Sequence, residues 1–129
     1  MDERLLKQGM FSWNELMTTD VEVARKFYTE LLGWTTEELQ MEGGNYTVIK
    51  VGGEEIGGIM NTPPQAEGVP PHWGAYVTVD DVDATATKAK DLGGNMLVPP
   101  TDIPDVGRFS VIQDPQGAVL AVITYLKKD

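Results

Sequence analysis

Residues 19–34 read TDVEVARKFYTELLGW, and the organisation of the chain can be worked outward from them. Thr19 and Glu22 fit a capping box, in which a hydroxyl accepts from a free backbone N–H and a carboxylate three residues on reaches back to the cap. Ala24, Phe27, Tyr28, Leu31 and Leu32 then recur at helical spacing, which predicts one apolar stripe, and Gly33 supplies the stop. Residues 81–94, DVDATATKAKDLGG, repeat the plan. Asp20-Val21-Glu22 answers to Asp81-Val82-Asp83 at an offset of 61, and Leu32-Gly33 answers to Leu92-Gly93 at an offset of 60. Val82, Ala86 and Ala89 form the apolar side of this second helix.

The same element order surrounds both helices. A strand at 10–18 (MFSWNELMT) precedes the first, and strands at 34–39, 46–51 and 55–60 follow it. Glu42-Gly43-Gly44-Asn45 and Gly52-Gly53 lie between those strands and suit hairpin turns. A strand at 72–79 (HWGAYVTV) precedes the second helix, and strands at 95–98, 108–113 and 118–125 follow. Asp114-Pro115-Gln116-Gly117 joins the last two as a turn with Pro at its second position and Gly at its fourth. Between the halves, residues 61–71 (NTPPQAEGVPP) have no periodicity and read as an extended connector. One β-α-β-β-β unit therefore occurs twice, as modules 10–60 and 72–125 of one domain spanning 10–125.

Composition narrows the function. The 129 residues hold 20 Asp and Glu against 10 Lys and Arg, a formal net charge of −10, which argues against nucleic acid or an anionic membrane as partner. The absence of cysteine excludes disulfides, thiolate metal ligands and cysteine nucleophiles, and points to a cytoplasmic setting. Residues 1–9 lack the apolar core of a signal peptide, and no stretch approaches 18 apolar residues.

The run from Thr19 through Phe27-Tyr28 to Leu32-Gly33-Trp34, with Val79-Asp80-Asp81-Val82 and the Asp114-Pro115-Gln116-Gly117 turn, resembles the vicinal oxygen chelate superfamily, the glyoxalase, bleomycin resistance protein and extradiol dioxygenase group. The resemblance covers about residues 10–125. It implies an α+β fold in which two βαβββ modules form a curled mixed sheet cup with outer helices, a ligand cavity inside, and a homodimer. Metal-dependent members bind a divalent ion through side chains on inner strands. Carried over one at a time, those positions fall on Trp13, Gly57 or Gly58, Gly74 and Ala121, none of which offers a metal ligand. The resemblance thus implies no metal and no cofactor, and it disfavours metal-dependent glyoxalase or dioxygenase chemistry. Strand neighbours two residues away face the same side, and these include Glu15, two after Trp13, and His72, two before Gly74, which together would form a displaced site of two donors.

Strand periodicity puts Trp13, Glu15 and Met17 on one face, and His72, Gly74, Tyr76 and Thr78 on one face, with Ala75, Val77 and Val79 turned to the helix. Glu15, a carboxylate within an apolar strand, needs a partner there or else faces outward at a dimer edge; paired, it could take a proton or hold a cation. His72 is the only histidine, a proton-transfer candidate or a strand-entry residue bonded locally after Pro70-Pro71. Trp13, Trp34, Trp73 and Tyr46 are candidate stacking surfaces or core aromatics, Tyr76 is a candidate ligand contact, and Arg108 pairs with an anionic ligand or with surface carboxylates. The reading is a small-molecule binding protein for a planar or cationic ligand; the alternative is a metal-independent lyase or isomerase using Glu15 or His72.

Overall fold

The computed structural model describes residues 2–41 and 44–126, and of Gln65 the backbone alone. The Glu42-Gly43 part of the anticipated first turn lies outside the described residues. Ten elements follow the anticipated order: β1 (Phe11–Thr18), α1 (Val21–Leu32), β2 (Thr35–Met41), β3 (Gly44–Val51), β4 (Glu54–Asn61), β5 (His72–Thr78), α2 (Val82–Asp91), β6 (Asn95–Ile103), β7 (Gly107–Gln113) and β8 (Val119–Tyr125). Short 3-10 turns at Glu3–Leu6 and Pro64–Ala66 are additions, the second inside the connector that periodicity left extended. The fold is α+β, a mixed arrangement of eight strands and two helices.

Two compact units are present, residues 13–74 and residues 2–12 with 75–126. In the first, the strand order is β2-β3-β4-β1, with β1 parallel to β4 and the other pairs antiparallel. The second has the order β6-β7-β8-β5, with β5 parallel to β8 and the other pairs antiparallel. Both parallel pairs join the strand before a helix to the last strand after it, so the duplication read from the sequence is also a duplication of topology.

Helix α1 starts one residue later than the capping box predicts. Asp20, not Thr19, caps α1, its carboxylate accepting from the Val23 N–H at 3.1 Å, and Glu22 is drawn away to Arg25 at 2.8 Å. An aspartate next to the first helical residue reaches the same orphan N–H that the threonine was expected to take. Asp81 caps α2 identically, accepting from the Ala84 N–H at 3.0 Å. Gly33, at φ 72°, ends α1 in the left-handed conformation that glycine adopts without strain.

The apolar stripe of α1 is only partly used. Val21, Ala24 and Tyr28, with Trp34 and Ile56, pack on the buried cluster Leu16, Ile49 and Ile59, whereas Phe27, Leu31 and Leu32 are more than half exposed. On α2 the expectation holds: Val82 and Ala86 are buried, and Val82 packs with Val79 and Val122. Strand β6 does not stop at Val98 as expected but runs on through Pro99 and Pro100 to Ile103. It pairs with β7 alone, and its register shifts between Met96 and Val98 and between Val98 and Thr101, so the prolines' missing N–H groups fall on an edge with room for bulges.

Candidate functional site

The cluster of Leu16, Ile49 and Ile59 beneath α1 defines the helix face of the first unit's sheet. Alternation therefore turns Trp13, Glu15 and Met17 to the opposite face of β1. Here the structure joins three of the expected residues. The Trp13 Nε1–H donates to the Tyr46 hydroxyl at 3.0 Å, and that hydroxyl donates to Glu15 Oε2 at 2.7 Å. All three side chains are partly buried.

Tyr46 stands on β3 and Glu15 on β1, with β4 between them. Its ring crosses β4 at Gly58, the register partner of both Glu15 and Val48. A Cβ at Gly58 would overlap the Tyr46 ring and hydroxyl, so the missing side chain is what lets the phenol reach the carboxylate. Of the two glycines at the carried-over ligand position, Gly58 is therefore the one on Trp13's face, whereas Gly57 pairs with Asn14 on the helix face. Alternation and hydrophobicity offered no sign of this; the only signal was a glycine pair inside an otherwise apolar strand.

The other expected residues are placed elsewhere. Trp73 lies on the helix face of the first unit, where its Nε1–H donates to the Tyr28 hydroxyl at 3.2 Å and its ring meets Trp34 edge-to-face at 6.0 Å. It is not on Trp13's face, because its indole packs with Tyr28 of α1 and Trp34 while Trp13 turns away from α1. His72 is exposed, with Nδ1 2.9 Å from the Pro70 carbonyl. A carbonyl oxygen only accepts, so Nδ1 is the donor in this local contact.

In the second unit, Tyr76 packs near Phe109, ring centroids 6.5 Å apart. Arg108 is on the α2 side, where it binds both Asp83 oxygens at 2.9 and 3.0 Å and Asp102 at 2.9 Å. These hydrogen bonds hold the Asp83 carboxyl below its usual range and push the guanidinium still higher. Surface carboxylates are thus its partners. The cavity around it, about 290 Å³, is lined also by Asp80 and Asp81. Tyr125, which hydrogen-bonds Ser12 at 2.8 Å, has its hydroxyl pKa raised by burial.

A second cavity, about 320 Å³, opens on the helix face of the first unit and is lined by Asn14, Trp34, Ile49, Ile56, Gly57 and Trp73. Asn14, on the helix face of β1, is not among the site residues expected from the sequence.

The donor set does not fit a divalent ion. Trp13 offers an N–H rather than a lone pair, Gly58 offers nothing, and Glu15 accepts from Tyr46. Among the described residues no three His, Cys, Asp or Glu side chains cluster as metal ligands. Among the same residues no helix is long and apolar enough to cross a membrane.

Paired βαβββ modules, each with its own helix and parallel strand pair, define the class of protein by fold. The chain belongs to the Glyoxalase/Bleomycin resistance protein/Dioxygenase superfamily, whose model matches residues 10–122. It is 47% identical over 116 residues to "Putative glyoxylase CFP32" of Mycobacterium tuberculosis, covering 89% of this chain and 44% of that protein. It is 32% identical over 127 residues to the anthracycline biosynthesis protein DnrV of Streptomyces peucetius, covering 88% of this chain and 46% of that one. The chain therefore spans less than half the length of these relatives. Among solved structures, methylmalonyl-CoA epimerase from Mycobacterium tuberculosis superposes with a TM-score of 0.65 at 17% identity, covering 98% of this chain and 94% of the other, a likeness of fold.

Proposed function

We propose that the chain binds a planar, cationic small molecule on the sheet face carrying Trp13, Tyr46 and Glu15. The observation that carries this reading is the hydrogen-bond chain from Trp13 through Tyr46 to Glu15. It holds a carboxylate beside two ring systems whose orientations are locked, so that a flat cation meets a counter-ion and aromatic surfaces already in place. The net charge of −10 favours the approach of such a ligand. The relationship to an anthracycline biosynthesis protein supports a planar, polycyclic ligand class. A homodimer and a cytoplasmic location belong to the same reading.

Titration with the cationic acridine proflavine, followed by tryptophan fluorescence and thermal shift, tests it. Saturable quenching with a raised melting temperature is expected, and Glu15→Gln is expected to weaken binding about tenfold by removing the counter-ion. Absence of both signals across a panel of cationic aromatics would overturn the assignment.

The 2.7 Å contact between Tyr46 and Glu15 favours a second reading, a metal-independent lyase or isomerase in which Glu15 takes a proton from substrate and Tyr46 positions it. His72, held on the Pro70 carbonyl and exposed, is a weaker base candidate than Glu15. In this reading Glu15→Ala abolishes turnover in a chain that still folds, at a melting temperature lowered by the lost bond to Tyr46; full activity in that variant would remove it.

A further inference from the structure

We infer that the cavity on the helix face of the first unit is a second binding site, for an uncharged planar ring compound bearing an amide or lactam edge. Its volume, about 320 Å³, falls at the lower end of small-molecule pockets. Trp34 and Trp73 meet at 78°, forming a corner in which a flat ring laid on one indole presents its edge to the other. That corner is held from behind by Tyr28, which stacks on Trp34 at 5.8 Å and accepts from the Trp73 indole at 3.2 Å. The aromatic wall is therefore fixed before any ligand arrives, yet Trp73 keeps 41% of its surface exposed.

The floor is Ile49, Ile56 and Gly57, and a Cβ at Gly57 would overlap the Asn14 carbonyl, so this strand pair can carry no side chain into the cavity at that point. None of the lining residues is charged. In a chain of net charge −10 such a site repels anions through the overall field and offers cations no local counter-ion, which leaves neutral ligands. Apart from the indole N–H groups of Trp34 and Trp73, its polar side chain is the exposed Asn14 carboxamide, which makes no hydrogen bond to any other described residue. A carboxamide presents a donor and an acceptor side by side, the complement of a cis-amide edge. This site shares no residue with the Trp13–Tyr46–Glu15 constellation and stands or falls separately from it.

The probe is 2-quinolinone, a neutral, flat lactam. In proton–nitrogen correlation spectra of the full chain, its addition is expected to shift the indole signals of Trp34 and Trp73 and the Asn14 side-chain amide saturably, with the Trp13 indole unmoved. N-methylation of the lactam, or Asn14→Leu in the protein, is expected to weaken binding about tenfold through the lost hydrogen bonds. The inference is overturned if the shifts do not saturate, if they centre on Trp13, or if binding is indifferent to N-methylation. The methylated probe decides the matter even where Asn14→Leu fails to fold.

Discussion

Gly58 is a position where one missing methyl group organises three side chains. Tyr46 crosses the strand above it to reach Glu15 while accepting from Trp13. Gly58→Ala is expected to cost about 1–3 kcal/mol in urea unfolding, because the new Cβ must displace the phenol or the strand. In a Tyr46→Ala background the same substitution should cost much less; equal costs in the two backgrounds would show that Gly58 does not act by making room for Tyr46. Tyr46→Phe removes a hydroxyl that both donates and accepts, and a loss of about 1–3 kcal/mol is expected from the same measurement. The chemistry of Trp13, Gly58 and Glu15 also predicts flat thermal-shift titrations with Ni²⁺, Zn²⁺ and Mn²⁺. A saturable shift lost in Glu15→Ala would show that this carboxylate holds a metal after all.

Both helices begin on an aspartate whose carboxylate takes the N–H of the third helical residue, and both are short enough for that bond to matter. Asp20→Ala and Asp81→Ala are each expected to lower stability by about 1 kcal/mol, whereas Thr19→Ala should stay within about 0.5 kcal/mol. Thermal melts of the three variants would distinguish this capping scheme from one centred on Thr19. The N-terminal turn of α2 also carries Asp83, bound to Arg108 on β7. Because Arg108 depresses the Asp83 pKa from its ordinary 3.8, the pair's contribution is complete above that value and is lost as pH falls through the folded-state value. Melting curves between pH 5 and 2 should therefore be steeper in acid for the parent than for Asp83→Asn, and identical slopes would show that the pair has no weight.

For the whole molecule, the proposed homodimer predicts twice the chain mass in sedimentation equilibrium, and a monomer at every concentration would remove it. Element order, both helix stops, the duplicated module and the turn at 114–117 were all legible beforehand, because each rests on interactions within a few residues: caps, positive-φ glycines and the 3.6 and 2.0 periods of the backbone. Strand periodicity also placed Glu15 and Trp13 on one face of β1. The same alternation that turns Ala75 to the helix carries Trp73 there, but it does not name its partners, Tyr28 on a helix and Trp34 just beyond that helix's end. Nor did it show that the α1 stripe would divide, Ala24 and Tyr28 turned to the sheet while Phe27 and Leu31 stay in solvent. The extension of β6 through two prolines depended on its place at a sheet edge, which is a property of strand order. Local sequence settles which hydrogen bonds a segment must make with itself. Which distant group completes Glu15, Trp73 or Arg108 is decided only by strand pairing and packing, since residues 31, 45 and 25 positions away become neighbours through the sheet and not through the chain.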